Sequence, residues 1–109
     1  MQKLVALGRF HAPSHGEAND YVEQLVVPDM SVGTYSIPAG GYDDQTPHTE
    51  DEIYVVTQGR ARIVTPDSTE TVVAGDVIFV PAGEPHRFED IAEDLAMIVV
   101  FAPAYRSRS

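Results

Sequence analysis

Two segments of the chain each place a histidine and carboxylates beside a run of β-branched residues. The first segment, residues 41–52, contains His48 and ends in three consecutive acidic residues. The second segment, residues 75–86, passes through a turn rich in glycine and proline and ends at His86. Two imidazoles and one carboxylate, with coordination positions left open, form a ligand set used in non-haem iron chemistry. The two segments therefore predict a metal site to which both contribute.

The spacing of His48 and Glu52 sets a condition on the backbone between them. The two residues are four apart, but residues 53–57 are a β-branched run that favours a strand over a helix. Four residues of straight strand span about 13 Å, too far for both side chains to reach an ion at about 2 Å. A shared ion therefore requires a bend near residues 49–51. His86 lies much further along the chain, so the site can form only by tertiary folding.

Composition restricts the class of protein. The 109 residues are enough for one domain, and the apolar content of 43% is typical of a globular chain. With 17 acidic against 7 basic residues, the formal charge of -10 repels phosphate backbones and predicts no nucleic-acid partner. The absence of cysteine excludes disulfides and zinc-thiolate sites. No apolar run is long enough for a signal peptide or a membrane span, so we expect a cytoplasmic protein without a membrane partner.

Hydrophobic periodicity predicts an all-β domain of about eight short strands. The predicted strands are residues 21–27, 31–37, 53–57, 60–65, 70–73, 77–80, 86–89 and 95–101. Strands at roughly ten-residue spacing, separated by glycine- and proline-rich turns, are typical of a closed barrel or a jelly roll. Ser14 with Glu17 is the one weak helix signal. We divide the chain into an N-terminal arm with the first strands (1–30), a barrel core (31–103) and a polar tail (104–109).

The two histidine-bearing segments resemble the paired motifs of the cupin superfamily, which are small β-barrels of the jelly-roll, or double-stranded β-helix, type. The glutamate and glycine of the first motif fall on Glu52 and Gly59, and its second histidine falls on His48. The position of its first histidine holds Thr46. The second motif is matched except at its end, where Asp90 replaces the usual asparagine. The matching residues of the second motif are Gly75, Pro81, Gly83 and His86.

The resemblance implies a small single-domain cupin of the cupin_2-like type with His48, Glu52 and His86 as metal ligands. The imidazole missing at Thr46 leaves a three-ligand set, with more open positions for water, substrate or dioxygen. Gln45 or Thr46 could orient a bound water. Carboxylate and imidazole donors favour Fe(II), while Mn(II), Ni(II) and Zn(II) are alternatives, because ligand type discriminates poorly among these ions.

Strand alternation predicts the walls of a pocket around the ion. Residues two apart in a strand share a face, so we expect Tyr54, Val56 and Phe88 to point towards the metal. Such an apolar lining suits a small organic ligand, although the same side chains would serve any barrel core. Glu50 and Tyr54 are the candidate catalytic groups, and a residue such as Glu50 in an acidic run is more often a surface charge.

Two functions remain open from the sequence. The first is a metal-dependent enzyme acting on a small organic molecule, dioxygenase-like by preference, with isomerase or lyase chemistry also compatible with the fold. The second is a non-catalytic small-molecule-binding domain of a sensor or regulator, suggested by the threonine at position 46. The continuous apolar run 95–101 is expected to be buried on both faces, which predicts a homodimer.

Overall fold

The computed structural model describes residues 1–107 and builds them from six β-strands with no helix. The strands are β1 (Asp20–Val27), β2 (Met30–Ile37), β3 (Asp51–Val64), β4 (Thr69–Val73), β5 (Val77–Val80) and β6 (Arg87–Ala102). The helix signal at Ser14 forms a single turn, in which the Glu17 N–H donates to the Ser14 carbonyl oxygen at 3.0 Å. The described residues contain no helix capable of crossing a membrane. The predicted all-β fold is confirmed.

All strand pairs are antiparallel, and β3 and β6 are the centre of the sheet. The order is β1-β2-β6-β3-β4, and β5 also pairs with β3. β3 pairs with β6 from Asp51 opposite Ala102 to Val64 opposite Arg87. β5 adds to the first half of β3 and β4 to its second half. Residues 52–55 and 60–64 of β3 therefore lie between two neighbouring strands, which makes these parts of the strand a rigid support for side chains.

The prediction of eight strands was wrong because two pairs of predicted strands are continuous. Predicted strands 53–57 and 60–65 are both parts of β3, which passes through the Gly59 that the sequence placed in a turn. Gly59 has a φ of 95°, and a Cβ there would collide with the backbone of Asp94. A glycine at a bulge bends a strand without ending it. Predicted strands 86–89 and 95–101 are likewise joined within β6, where Asp90 adopts a left-handed φ of 51°.

The core lies on the inner face of the sheet, where alternate residues of each strand are buried. In β3 the buried residues include Glu52, Tyr54 and Val56, as strand alternation predicts. Tyr35, Leu95 and the other core side chains pack against them. Together these buried residues form one cluster: Tyr35, Ile37, Tyr54, Val56, Ala61, Ile63, Val72, Val80, Phe88, Ile91, Leu95, Met97, Val99 and Phe101. The Glu52 carboxylate and the Tyr54 ring, both on β3, therefore lie in a mostly apolar interior.

The N-terminal arm covers part of the outer face of the sheet. The Gly8 N–H donates to Thr34 Oγ1 at 2.9 Å, and Thr57 Oγ1 donates to the Gly8 carbonyl oxygen at 2.5 Å. A Cβ on Gly8 would lie 2.9 Å from Ile98, so only glycine allows the arm to lie this close to β6. The arm therefore accounts for part of the burial on the outer face of the apolar run 95–101.

The C-terminal residues that follow β6 fold back onto the barrel. Ala104 is buried, and the Tyr105 N–H donates to Ser31 Oγ at 2.9 Å. The Tyr105 ring stacks on Phe101, with ring centroids 4.6 Å apart. The last two residues of the predicted tail 104–109 lie outside the described residues. Tyr105 therefore adds an aromatic ring to the barrel, while Arg106 and Ser107 are exposed.

Candidate metal centre

The three predicted ligands come from separate parts of the chain and converge inside the fold. Glu52 is the second residue of β3, His48 lies in the loop before β3, and His86 lies directly before β6. Their ligand atoms all lie within 4.8 Å of one another. Glu52 Oε1 is 3.9 Å from His48 Nε2 and 3.2 Å from His86 Nε2. Two imidazoles and one carboxylate therefore form a compact group.

The loop before β3 meets the condition that the four-residue spacing imposes. Residues 49–50 form a bend, so His48 leaves the line of the strand. The Gly83 N–H donates to the His48 carbonyl oxygen at 2.7 Å, and the Ala82 N–H donates to Asp51 Oδ1 at 2.9 Å. These two bonds tie the turn before β6 to the loop before β3, and so hold both histidine-bearing segments together.

The orientation of His86 is fixed by its backbone neighbour. Its Nδ1 lies 3.0 Å from the Glu84 carbonyl oxygen, which can only accept, so Nδ1 carries the proton. In the neutral ring Nε2 is then an acceptor, and it faces Glu52 Oε1 and the Tyr54 hydroxyl, which is 2.9 Å away. Burial lowers the pKa of His86, but its contacts with the Glu52 carboxylate and the Glu84 carbonyl oppose this and leave the pKa above its ordinary value.

The surroundings of Glu52 Oε1 show whether the site fits a metal ion. Glu52 is buried, and Oε1 has no hydrogen-bond partner within residues 1–107. A buried carboxylate oxygen without a donor is costly. It also faces His86 Nε2, which is itself an acceptor in the neutral ring. A divalent cation would satisfy Oε1 and could replace the Tyr54 hydroxyl as the partner of Nε2, so the donor set and its geometry fit a metal ion.

Replacing Glu52 with glutamine should therefore stabilise the metal-free protein. The amide could donate to His86 Nε2, which the carboxylate cannot do when the ring is neutral. In EDTA at pH 8 we expect the free energy of unfolding of Glu52→Gln to rise by about 1 kcal/mol, measured by urea denaturation. Glu70→Gln, at an exposed residue of β4, is the control and should leave stability unchanged. A metal-free Glu52→Gln protein that is less stable than wild type would contradict this account of Oε1.

Gln45 directs an amide oxygen into the site beside His48. Its Nε2 lies 2.9 Å from Asp43 Oδ2, and because a carboxylate only accepts, the NH₂ group must face Asp43. Its Oε1 then faces His48 Nε2 at a distance of 2.7 Å. Burial lowers the pKa of His48 below its ordinary value, even though the Glu52 carboxylate acts in the opposite direction. The neutral imidazole, which is the form that binds metals, is thus favoured at His48.

Asp43 is the buried support of this arrangement, and sequence reasoning missed it. It accepts hydrogen bonds from the Tyr35 hydroxyl at 2.8 Å, the Phe88 N–H at 2.9 Å and the Gln45 side chain. Gln45 in turn donates to the Tyr54 hydroxyl at 3.0 Å. The result is a polar chain from β2 through the loop to β3. Asp43 stands next to Asp44 in an irregular loop, so no periodicity could distinguish the buried aspartate from its exposed neighbour.

Of the other predicted site residues, Tyr54 lines the cavity, and Glu50, Val56 and Phe88 are buried outside its lining. Glu50 is only 1% exposed, so its description as a surface charge was wrong, and Thr49 Oγ1 donates to its Oε2 at 2.6 Å. Tyr54 lines a cavity next to the ligands. Val56 and Phe88 are buried in the core and lie outside the lining of that cavity. The Phe88 ring packs edge-on against the Tyr54 ring at 4.9 Å, so Tyr54 stands between Phe88 and the cavity.

The cavity beside the ligands has a volume of about 300 Å³. His48 and Glu52 form part of its wall, and five of the other ten lining residues are aromatic. The rings belong to Tyr21, Tyr35, Tyr54, Phe101 and Tyr105. The C-terminal Tyr105 and the β1 residue Tyr21 were not predicted at the site, because neither lies near a ligand in sequence. An aromatic chamber of this size next to a metal-binding group suits a small organic molecule.

Comparison with known protein families establishes the family to which this fold and this ligand group belong. Residues 33–101 match the family Cupin_2, the cupin domain. The chain belongs to the cupin family. This cupin is 48% identical over 88 residues to the uncharacterized protein SCO3923 of Streptomyces coelicolor, a match that covers 79% of this chain and 84% of that protein. The resemblance drawn from the two motifs is therefore confirmed.

Solved structures share the fold of this cupin at low sequence identity. An uncharacterized conserved protein with a double-stranded β-helix domain from Klebsiella pneumoniae aligns with a TM-score of 0.80 and 20% identity, over 94% of this chain and 91% of that chain. The DMSP lyase DddQ from Ruegeria pomeroyi aligns with a TM-score of 0.72 and 17% identity, over 87% of this chain and 56% of that chain. At these identities the likeness establishes the double-stranded β-helix fold alone.

This cupin departs from the family motif at one ligand position. Thr46 stands where the motif has its first histidine. The preceding residue, Gln45, instead turns its amide oxygen towards His48 and is held there by Asp43. The cupin therefore has three charged or imidazole donors and one neutral amide oxygen beside them, a set of hard and borderline donors that suits divalent first-row metals.

Proposed function

We propose that this cupin is a mononuclear metal-dependent enzyme of dioxygenase-like type that acts on a small organic molecule. His48, Glu52 and His86 would hold the divalent ion, and Fe(II) is the favoured ion. The observation that carries the proposal is the buried Glu52 Oε1, which lacks a hydrogen-bond donor and lies 3.2 Å from an acceptor nitrogen of His86. A bound divalent ion supplies Lewis acidity, and a redox-active ion adds chemistry with dioxygen.

Tyr54 is the residue best placed to donate a proton or a hydrogen bond to a molecule in the cavity. Its hydroxyl accepts from Gln45 Nε2 at 3.0 Å and lies 2.9 Å from the acceptor His86 Nε2, so its proton would become available to a molecule in the cavity once that nitrogen binds a metal instead. Burial, followed by the negative charge of Glu52, raises the pKa of Tyr54 well above its ordinary value. The hydroxyl therefore stays protonated at neutral pH and serves as a donor rather than a base. Glu50, the other candidate, does not line the cavity.

The aromatic walls would orient a substrate and limit the access of water. Phe101 and Tyr105 form a stacked pair, with ring planes 19° apart, and His48 packs edge-on against Phe101 at 4.9 Å. The same residues thus hold a ligand imidazole in place and present flat apolar surfaces to the cavity. A low-polarity wall strengthens any charge interaction made inside it.

The experiment that tests this function is oxygen consumption by the Fe(II)-loaded protein. The protein would be reconstituted anaerobically, mixed with a panel of small organic acids, enols and phenols, and followed with an oxygen electrode. Substrate-dependent oxygen uptake by the Fe(II) protein, and none by the Zn(II) protein, is the expected result. If the protein binds iron but consumes no oxygen with any member of the panel, the dioxygenase assignment is wrong, although the proposal of a metal site still stands.

A non-catalytic binding function is the second candidate. Gln45 Oε1 lies 2.7 Å from His48 Nε2 and so engages one of the ligand atoms in a hydrogen bond. Such a bond stabilises a metal-free form in which the cavity alone would bind a small molecule. Native mass spectrometry distinguishes the two candidates, because the second predicts a retained organic molecule in a protein that takes up no metal.

We propose further that this cupin forms a homodimer through the outer face of β3 and β5. Ile53, Val77 and Phe79 are 38%, 65% and 59% exposed, and Ile53 pairs directly with Phe79. An exposed apolar patch of this kind is typical of an interaction surface. Phe79→Ser should convert a dimer into a monomer, measured by light scattering, whereas Val5→Ser, at an exposed residue of the arm, should not. A wild-type protein with a monomeric mass would exclude the dimer.

A further inference from the structure

The side-chain oxygen of Gln45 lies against the predicted metal ligands. Gln45 Oε1 is 2.7 Å from His48 Nε2, the nitrogen of that ring that faces Glu52. The Tyr54 hydroxyl lies 3.3 Å from the same oxygen and 2.9 Å from His86 Nε2. Gln45 Oε1 is therefore in contact with one ligand nitrogen and is linked to the other by a single hydroxyl. The metal-binding group thus has a further oxygen atom at its edge.

The orientation of this amide is fixed by Asp43. Gln45 Nε2 lies 2.9 Å from Asp43 Oδ2, and the backbone N–H of Gln45 donates to Asp43 Oδ1 at 3.2 Å. Asp43 is itself buried and held by the Phe88 N–H. A reversed amide would set its oxygen against the carboxylate, and two acceptors repel each other. Gln45 Oε1 therefore points at His48 in the metal-free protein and needs no rearrangement to stay there.

The contact between Gln45 and His48 is one that a bound ion would replace. The amide oxygen only accepts, so His48 Nε2 carries a hydrogen in this contact. An imidazole nitrogen that binds a metal carries none, and in the neutral ring the hydrogen is then on Nδ1. Oε1 and Nε2 would then both present lone pairs, and an ion bound by both removes their repulsion. Neighbouring ligands about 2.1 Å from an octahedral ion lie about 3.0 Å apart, close to the observed 2.7 Å.

Thr46, at the position of the first motif histidine, does not supply this donor. Thr46 is exposed and lies outside the lining of the cavity beside the ligands. Gln45, the residue before it, lines that cavity together with His48 and Glu52. The residue that aligns with the missing ligand is therefore turned away from the site, and its neighbour in sequence is turned towards it.

We infer that Gln45 Oε1 is the fourth protein ligand of the metal ion and replaces the histidine that the family motif has at position 46. The inference rests on the proposed metal site and adds to it a donor that the motif does not contain. A neutral amide oxygen binds a divalent ion more weakly than a carboxylate or an imidazole, so Gln45 completes the site that the other three residues form. Four donors leave two positions on an octahedral ion for water or substrate. Carbonyl oxygens suit Mn(II), which is therefore the probe of choice.

The test counts the water molecules bound to Mn(II) in wild type and in Gln45→Met. Electron spin-echo envelope modulation of the Mn(II) protein in D₂O gives this number. Methionine keeps the length of the side chain but has only a soft thioether, which does not suit Mn(II). The variant should hold one more water than wild type and bind Mn(II) about tenfold more weakly. Thr46→Val, at the exposed motif position, is the control and should leave both the water count and the affinity unchanged.

The water count separates a ligand from a residue that only hydrogen-bonds to a metal-bound water, because either role would lower the affinity when Gln45 is replaced. Gln45→Asn, which withdraws the amide oxygen by one methylene, should gain the same water and serves where Gln45→Met does not fold. Equal water counts in wild type and the variants would overturn the inference and leave the proposed metal site intact. A wild-type protein that binds no Mn(II) would also overturn the inference, and one that binds no divalent ion would overturn the metal site with it. An added water in the variants of a protein that consumes no dioxygen would support the inference and contradict only the dioxygenase assignment.

Discussion

Replacement of His86 with alanine is expected to abolish stoichiometric metal binding and to lower the affinity for divalent ions by about a hundredfold or more. Loss of an outer partner of a ligand already costs ten- to a hundredfold, so loss of a ligand should cost at least as much. His86 is also the ligand whose orientation is best defined, since Glu84 holds its Nδ1 and leaves Nε2 facing Glu52. Two remaining donors cannot fix an ion against water.

Elemental mass spectrometry after incubation with Fe(II), Mn(II), Ni(II) or Zn(II) and extensive dialysis would measure this loss. The matched control is His15→Ala, because His15 is an exposed histidine of the N-terminal arm. Wild type and His15→Ala should retain close to one ion per chain, and His86→Ala should retain almost none. If all three proteins hold the same amount of metal, the ion is bound elsewhere and the assignment of the ligands is wrong.

Replacement of Asp43 with alanine is expected to lower the free energy of unfolding by about 3 to 5 kcal/mol. The change leaves the Tyr35 hydroxyl, the Phe88 N–H and the Gln45 amide without their common acceptor. Each is a buried or half-buried donor, and each orphaned donor costs about 1 to 3 kcal/mol, with less than full additivity. Few single substitutions outside the hydrophobic core have effects of this size.

The adjacent residue offers the control for this experiment. Asp44 is an exposed aspartate that accepts a hydrogen bond from Asn19 Nδ2 at 3.0 Å, so Asp44→Ala should cost less than about 1 kcal/mol. Urea denaturation of both variants, followed by circular dichroism, gives the two free energies. Equal destabilisation by the two substitutions would mean that Asp43 is not the support that its hydrogen bonds suggest.

The fold and the ligand group were predictable because their signals are local and regular. β-Branched runs and glycine-rich turns define strands over a few residues, and the spacing between Glu52 and Gly59 is preserved within one motif. The strand count failed for a local reason as well. Glycine at position 59 and aspartate at position 90 resemble turn residues in sequence, but each takes a left-handed conformation inside a continuous strand. Turn propensity does not distinguish a bulge from a chain reversal.

The remainder of the site depends on contacts that no sequence pattern records. Asp43 and Gln45 lie in a loop without periodicity, and only the folded chain brings Tyr35 and Phe88 to the same carboxylate. Tyr21 has the appearance of an ordinary β-forming residue of β1. Its place in the cavity wall becomes apparent only when Gly33, on the neighbouring strand, is found to make room for its ring. Glu50 was taken for a surface charge because acidic runs are usually exposed, whereas the bend at residues 49–50 turns it inward.

The two bonds between the turn before β6 and the loop before β3 have a consequence for how a metal ion would bind. They run from the backbone N–H groups of Gly83 and Ala82 to the His48 carbonyl oxygen and to Asp51, and neither uses a ligand atom. The connection between the histidine-bearing segments therefore does not itself require an ion, unlike small zinc domains that fold only on binding metal. An ion bound there would be exchangeable without refolding of the chain. Its identity would follow the supply of divalent metals in the surroundings, and the same chain could change its reactivity without changing its shape.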